Sequence, residues 1–122
     1  MTTTPRHHTI DYIEINTDDL PASVAFYERA FGWTFNDYGG QYAGIRNPNG
    51  EGEVGGLNPG QPGGPGGPLV QLYSDDLAAS EEAVIAAGGQ IVVPAFGFPG
   101  GRRFHFRDPA GNVLGVWTAV ED

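Results

Sequence analysis

One sequence pattern occurs twice in this chain, and the repeat constrains the fold more than any other feature. The run Asp-Asp-Leu-Pro-Ala-Ser at residues 18–23 returns as Asp-Asp-Leu-Ala-Ala-Ser at residues 75–80. A second pair follows in the same order, since Arg-Asn-Pro-Asn-Gly at 46–50 returns as Arg-Asp-Pro-Ala-Gly at 107–111. Two matches in one order indicate a duplicated structural unit, because chance seldom produces both.

The first copy predicts a strand, a helix and three further strands. Residues 9–15 alternate apolar and polar side chains, which is the pattern of a half-buried strand. Apolar residues then recur at helical spacing over residues 20–31, between an Asp-Asp-Leu-Pro start and a stop at Gly32. Three short strands are expected to follow, at residues 33–35, 41–45 and 53–57.

The second copy predicts the same order of elements. Its strand at 69–73 precedes a helix that ends near residue 87, where two glycines follow. The next strands are expected at 90–93, directly before the Arg-Asp-Pro turn, and at 113–118. The second copy has four more residues than the first, and we assign them to a loop at 96–101, where an insertion costs little.

A segment rich in glycine and proline, residues 58–68, separates the two copies. Proline stands at every third position of this segment from residue 59, and such a run inside a compact chain is typical of a linker. We therefore predict an α+β fold with a single domain over 1–122, built from two tandem βαβββ modules at about 8–57 and 69–118. Neither module alone has enough apolar area for a stable core. Pairing them with the helices outside would curl the sheet around an internal cleft.

Composition excludes several classes of function. The formal charge is −9, from fifteen acidic and six basic residues, so the chain repels phosphate backbones and anionic lipids, and neither nucleic acid nor a membrane is an expected partner. Lysine and cysteine are both absent, which excludes lysine Schiff-base chemistry and thiolate metal sites. No apolar run suits a membrane span or a signal peptide, so we expect a cytoplasmic protein.

Two segments carry a resemblance to a known family. The stretch from Ile13 to Trp33, IEINTDDLPASVAFYERAFGW, and the stretch FRDPAGN at 106–112 resemble the vicinal oxygen chelate superfamily. That superfamily includes glyoxalase I, bleomycin-resistance proteins, fosfomycin-resistance proteins and extradiol dioxygenases. The resemblance covers nearly the whole chain and implies paired βαβββ modules. It is specific for the fold, and it does not identify a reaction.

The resemblance also implies where a metal site would lie. Metal-using members carry His, Glu or Asp ligands on the first and last strands of each module. Counted from the shared motifs, those positions correspond here to Tyr12, Gly56, Leu69 and Gly115. None is an ordinary ligand for a first-row metal, apart from Tyr12 if its phenol lost its proton. We therefore expect neither a metal nor another cofactor.

Strand alternation, anchored on those positions, predicts which side chains face the cleft. Phe104 and Phe106 should point toward the helices instead, and a register slip of one residue would reverse every assignment. Aromatic side chains around a few charged groups suit a planar or amphipathic organic molecule, or a cation. The candidate ligand-binding residues are Tyr12, Glu14, Tyr42, Gln71, Tyr73, Arg103, His105 and Trp117.

Three functions remain open at this point. The favoured hypothesis is a metal-free protein that binds, and sequesters, a drug-like or an aromatic or cationic compound. The alternative is a lyase, isomerase or dioxygenase-type enzyme with His105 and Glu14 as the catalytic acid and base. The third possibility is an interaction module without a ligand. Glu14 and Arg103 could also form an ion pair with each other. Besides a small organic molecule we expect a second copy of the chain as partner, in a homodimer whose cleft lies within one chain or across two.

Overall fold

The computed structural model describes residues 7–60, 62–66 and 68–119. The two ends of the predicted 1–122 domain, and positions 61 and 67 of the predicted linker, lie outside the described residues. The first module consists of β1 (Ile13–Asn16), α1 (Leu20–Phe31), β2 (Phe35–Asp37), β3 (Ala43–Arg46) and β4 (Glu53–Asn58). The second consists of β5 (Gln71–Tyr73), α2 (Leu77–Ala86), β6 (Gln90–Phe98), β7 (Gly101–Arg107) and β8 (Val113–Thr118).

Each module forms its own four-stranded sheet. The strand orders are β1-β4-β3-β2 and β5-β8-β7-β6, with the first and last strands of a module paired parallel and the others antiparallel. The predicted α+β class and the two βαβββ modules are confirmed. Across the described ranges, strands pair only within their own module, so the structure contains two open sheets.

The repeat extends to the hydrogen bonds that start the helices. The Asp19 carboxylate accepts from the amide of Ala22 at 3.2 Å, and the Asp76 carboxylate accepts from the amide of Ala79 at 3.1 Å. Such caps satisfy amide groups that have no partner within the helix. The predicted bounds of α1, residues 20–31, are confirmed. Two hydroxyl pairs repeat as well: Ser23 with Thr17 at 2.8 Å, and Ser80 with Ser74 at 2.7 Å.

The predicted loop at residues 96–101 is wrong. Strand β6 continues to Phe98 and β7 begins at Gly101, so the additional residues of the second copy lengthen a hairpin. The pairing register shifts on both sides of Val93, which shows that bulges absorb the added length. Pro94 lies in this irregular stretch, where a residue without an amide hydrogen is tolerated.

One hydrophobic core spans both modules. Helix α1 packs against α2, and the buried side chains come from both helices and both sheets. Phe104 and Phe106 are completely buried, which confirms their predicted direction. No helix within the described residues has the length and apolar character of a membrane span. The largest fully buried side chains are Phe26, Tyr27, Leu57, Val84, Phe104, Phe106 and Val116.

A buried carboxylate joins the two modules. Asp108 is only 3% exposed and accepts a hydrogen bond from the hydroxyl of Tyr27 in α1 at 2.8 Å. It also accepts from the amides of Ala110 and Asn112, at 3.0 and 2.8 Å, and from Asn112 Nδ2 at 3.0 Å. Asn112 Nδ2 in turn donates to the carbonyl of Asn16, at the end of β1, at 2.7 Å. We call these five residues the Asp108 clasp.

Replacement of Asp108 tests the clasp. In the Asp108→Ala variant the Tyr27 hydroxyl and the Asn112 groups lose their acceptor. We expect the free energy of unfolding to fall by about 3 kcal/mol, since each buried donor left unpaired costs about 1–3 kcal/mol. Urea denaturation measures the change. The exposed Asp11→Ala variant is the control, and a loss no larger than that of this control would contradict the role of the clasp.

Candidate functional site

The first sheet carries a hydrogen-bonded group of tyrosines and carboxylates on the face opposite its core. Tyr42 donates to Glu14 Oε2 at 2.9 Å, and its hydroxyl oxygen lies 2.7 Å from that of Tyr12. Asn58 Nδ2 donates to the other oxygen of Glu14 at 3.3 Å. Three predicted ligand-binding residues, Tyr12, Glu14 and Tyr42, therefore bind to one another.

Glu53 is the second carboxylate of this group. It accepts from the Tyr38 hydroxyl at 2.6 Å, from Asn36 Nδ2 at 2.9 Å and, at 3.3 Å, from the Tyr12 hydroxyl. The bonds from Tyr38 and Asn36 lower the pKa of Glu53 below its usual value, because they stabilise the charged form. We call the whole group the tyrosine–glutamate network; it comprises Tyr12, Glu14, Asn36, Tyr38, Tyr42, Glu53 and Asn58.

The network keeps its tyrosines protonated. Burial raises the pKa of Tyr42 well above its usual value, and the bonds to Tyr12 and Glu14 raise it further. Burial also raises the pKa of Tyr12, with a further contribution from the charges of Glu53 and Glu14. A phenol whose pKa is raised gives up its proton to a metal ion less readily than an ordinary tyrosine does. Tyr12 is therefore unsuited to the single ligand role that the sequence left open.

Glycine makes this network possible. A side-chain carbon at Gly56 would collide with the Tyr42 hydroxyl and would lie 2.8 Å from the Tyr12 hydroxyl. A side-chain carbon at Gly44 would collide in the same way with the Glu53 carboxylate. The Tyr42 hydroxyl occupies the space that glycine leaves free at position 56. The residues at this position do not fit a metal of the family type.

The second sheet presents the remaining predicted residues on one face. Strand pairing aligns side chains of β5, β8 and β7 in rows, because paired residues of neighbouring strands point the same way. These residues project from the face opposite Phe104 and Phe106, which are buried. The two rows are Gln71, Gly115 and His105, and Tyr73, Trp117 and Arg103.

Arg103 lies between two aromatic rings of β6. Its guanidinium carbon is 5.2 Å from the ring centre of Phe96 and 5.0 Å from that of Phe98, both within the range of cation–π attraction. Its Nε is out of contact with solvent and has no hydrogen-bond partner among the described residues. A buried donor without an acceptor is unfavourable, so a ligand that offers an acceptor to this N–H group would remove that cost.

His105 is the second group on this face with an unused polar atom. Its Nε2 is also shielded from solvent and has no partner within the described chain. Burial lowers the pKa of His105, and the positive charge of Arg103 lowers it further, so both favour the neutral form of the ring. Gln71 Oε1 and His105 Cδ2 lie 3.1 and 3.3 Å from the place of a side-chain carbon at Gly115, so both residues lean over this glycine.

The structure divides the predicted site between two sheets. Tyr12, Glu14 and Tyr42 belong to the first sheet, whereas Gln71, Tyr73, Arg103, His105 and Trp117 belong to the second. The proposed acid and base, Glu14 and His105, are thus on separate sheets. The possible Glu14–Arg103 ion pair is replaced by other contacts, since Glu14 accepts from Tyr42 and Asn58 and Arg103 contacts aromatic rings.

Sequence reasoning missed several residues of these two faces. Phe96 and Phe98 alternate with the small residues Ala95 and Gly97, and this period of two could have identified them as part of a strand. Tyr38 and Glu53 gave no such signal, because their contact depends on the antiparallel pairing of β3 with β4. Asn36 and Asn58 were missed because their contacts depend on further pairings, of β2 with β3 and of β1 with β4.

A separate cavity of about 720 Å³ lies along the free edge of β1. Its walls are formed by β1, the proline-rich linker and the start of β8. Of the predicted ligand-binding residues, only Tyr12 and Glu14 line it. The cavity is therefore distinct from the face that carries Arg103 and His105.

The Gly56→Ala variant tests the dependence of the network on glycine. The added methyl group would displace the Tyr42 hydroxyl from Glu14, and we expect a loss of about 1–3 kcal/mol in the free energy of unfolding, as for overpacking. Gly97→Ala is the matched control, because its methyl group would meet no atom closer than 3.9 Å. Equal stability of the two variants in urea denaturation would show that the Tyr42 hydroxyl does not need the space at position 56.

Comparison with known proteins agrees with this geometry. The sequence pattern of the Glyoxalase/Bleomycin resistance protein/Dioxygenase superfamily matches residues 9–116. A protein named putative glyoxylase CFP32, from Mycobacterium bovis and Mycobacterium tuberculosis, is 34% identical over 93% of this chain. The match covers 47% of that protein, so this chain spans about half the length of these relatives.

Solved structures show the same fold. A glyoxalase-related enzyme from Fulvimarina pelagi superposes with a TM-score of 0.75 at 24% identity, over 91% of this chain and 88% of the other. A glyoxalase/bleomycin resistance protein/dioxygenase family enzyme from Burkholderia phytofirmans PsJN gives 0.74 at 20% identity, over 91% and 98%. The predicted resemblance is confirmed. The chain belongs to the glyoxalase/bleomycin resistance protein/dioxygenase superfamily.

Proposed function

We propose that this chain is a metal-free protein that binds a small organic molecule. The observation that carries the proposal is the filling of the Gly56 position by the Tyr42 hydroxyl. The other positions that correspond to metal ligands hold Tyr12, Leu69 and Gly115, of which only Tyr12 has a donor atom, and its pKa is raised. Side chains of this chemistry favour the binding of an organic molecule over the coordination of a metal ion.

The binding face in this proposal is that of the second sheet. The rings of Tyr73 and Trp117 meet edge to face, with centres 5.1 Å apart, and Phe98 lies 6.3 Å from Trp117. Tyr73 is 53% exposed, so much of this aromatic surface is open to a ligand. Aromatic walls with a few oriented polar groups are typical of sites for small organic molecules.

The acid–base alternative has less support. Glu14 accepts two hydrogen bonds within the tyrosine–glutamate network and lies on a different sheet from His105. A general base must lie within about 3 Å of the substrate proton that it removes. The alternative needs both an acid and a base at the substrate, and His105 supplies only one of the two. The name glyoxylase belongs to the mycobacterial proteins, which are about twice as long as this chain.

The proposal includes a second copy of the chain as partner, in the cytoplasm. The open face of the first sheet carries the carboxylates Glu14 and Glu53, and that of the second sheet carries Arg103. Opposite charges on two faces of one chain favour the contact of unlike faces in a symmetric dimer. Such a dimer would enclose the aromatic face and complete a cleft.

Nuclear magnetic resonance with a library of aromatic compounds tests the binding function. We expect binders to shift the backbone signals of Gln71, Tyr73 and Trp117. In Tyr73→Ala the affinity should fall about threefold to tenfold, the amount that the loss of an aromatic contact predicts. Ile85→Ala, which removes a side chain of similar exposure from α2, is the control. Absence of any binder, or equal affinity in both variants, would contradict the proposal.

A further inference from the structure

The charge of the proposed ligand follows from the polar atoms that the second sheet leaves unused. A face that binds a cation offers carboxylates or bare aromatic rings. On the second sheet the rings of Phe96 and Phe98 already hold the guanidinium of Arg103. The described carboxylates of the network belong to the first sheet and are bonded to tyrosine and asparagine side chains. The rings of Tyr73 and Trp117 remain on this face, but Trp117 is paired with Arg103, whose positive charge repels a cation. A cation, one of the ligand classes that the sequence allows, is therefore disfavoured here.

The same atoms suit an anion. Arg103 Nε is a hydrogen-bond donor without an acceptor, and it belongs to a planar group whose edge can donate two parallel bonds to a carboxylate. The guanidinium contacts the rings of both Phe96 and Phe98, and these contacts limit its motion before a ligand arrives. A fixed donor loses less entropy on binding than a mobile one.

Two neighbours extend this site along the adjacent row. His105 Nε2 has no partner in the described chain, and a neutral imidazole donates from one nitrogen or accepts at the other. Gln71, which leans over Gly115 opposite His105, adds an amide. Trp117 is paired with Arg103 across β7 and β8, so an aromatic ring lies next to the positive charge.

We infer that the ligand of this face is an aromatic carboxylate, whose anionic group binds to Arg103 and whose ring packs on Trp117 and Tyr73. This inference rests on the proposed binding function and names its ligand class. The net charge of −9 does not oppose it strongly, because charges farther than about 8 Å are screened at physiological ionic strength. The local charge of Arg103 then decides the sign of the ligand's charge.

Three probes of the same shape and different charge test the inference by isothermal titration calorimetry. They are 2-naphthoate, 2-naphthamide and 2-naphthylmethylammonium. We expect 2-naphthoate to bind about tenfold or more tightly than the amide, the contribution of a charge-assisted hydrogen bond. The ammonium compound should bind more weakly than both. Amide or ammonium binding as tight as that of naphthoate, or no naphthoate binding while other compounds of the library bind, would overturn the inference and leave the proposed function intact.

Three arginine variants locate the effect. Arg103→Gln should remove the preference for naphthoate over the amide. Arg102→Gln removes the same charge from the neighbouring residue of β7, whose side chain points to the opposite face of the sheet, and it should keep the preference. Arg103→Lys retains the charge without the planar edge of the guanidinium, and this variant should keep only part of the preference for naphthoate. Circular dichroism shows whether each variant is folded. A preference that survives in folded Arg103→Gln would overturn the inference, whereas failure of every probe and of the whole library would overturn the binding function itself.

Discussion

The buried carboxylate of Asp108 is the interaction on which the arrangement of this structure depends. It accepts four hydrogen bonds in the turn that precedes β8, and one of them comes from Tyr27 of the first module. Asn112 then bonds to the end of β1, so the first strand of one module is positioned against the last strand of the other. The first copy has Asn47 in the corresponding turn, and its side chain serves that turn locally, through the amide of Asn49. The two copies share a backbone plan, and the turn of the second copy supplies the buried carboxylate that bonds to the first module.

The divergence of the copies also explains the chemistry of their open faces. In the first module, glycine at 44 and 56 admits the Glu53 carboxylate and the Tyr42 hydroxyl, and the Tyr12 hydroxyl bonds to both of them. In the second module, Gly115 admits Gln71 and His105, and two nitrogen atoms, Arg103 Nε and His105 Nε2, remain without partners in the described chain. Hydrogen-bonding capacity is used internally on one face and is open on the other. This contrast is why the second sheet is the proposed binding face.

Much of the fold could be predicted from local sequence signals. The limits of α1 followed from its apolar stripe and its aspartate cap, which are short-range features. The length of β6 did not, because Pro94 and glycine interrupt its pattern and bulges absorb the irregularity. The direction of Phe104 and Phe106 followed from alternation once the register was fixed. The tyrosine–glutamate network could not be predicted, since Glu53 meets Asn36 and Tyr38 only when the strands pair.

The central claim is that tyrosine and glycine have replaced metal coordination in this member of the superfamily. Elemental analysis tests it most directly, on protein expressed with added iron, manganese, nickel and zinc and purified without a chelator. The account predicts a content of each metal far below one ion per chain, because the phenols and carboxylates of the network are bonded to one another. His105 has a nitrogen without a partner, but within the described residues it does not belong to a group of three or more metal-binding side chains. Two results together would contradict it: a near-stoichiometric content of any one metal, and a change in the signals of Tyr12 or His105 when a chelator removes that metal.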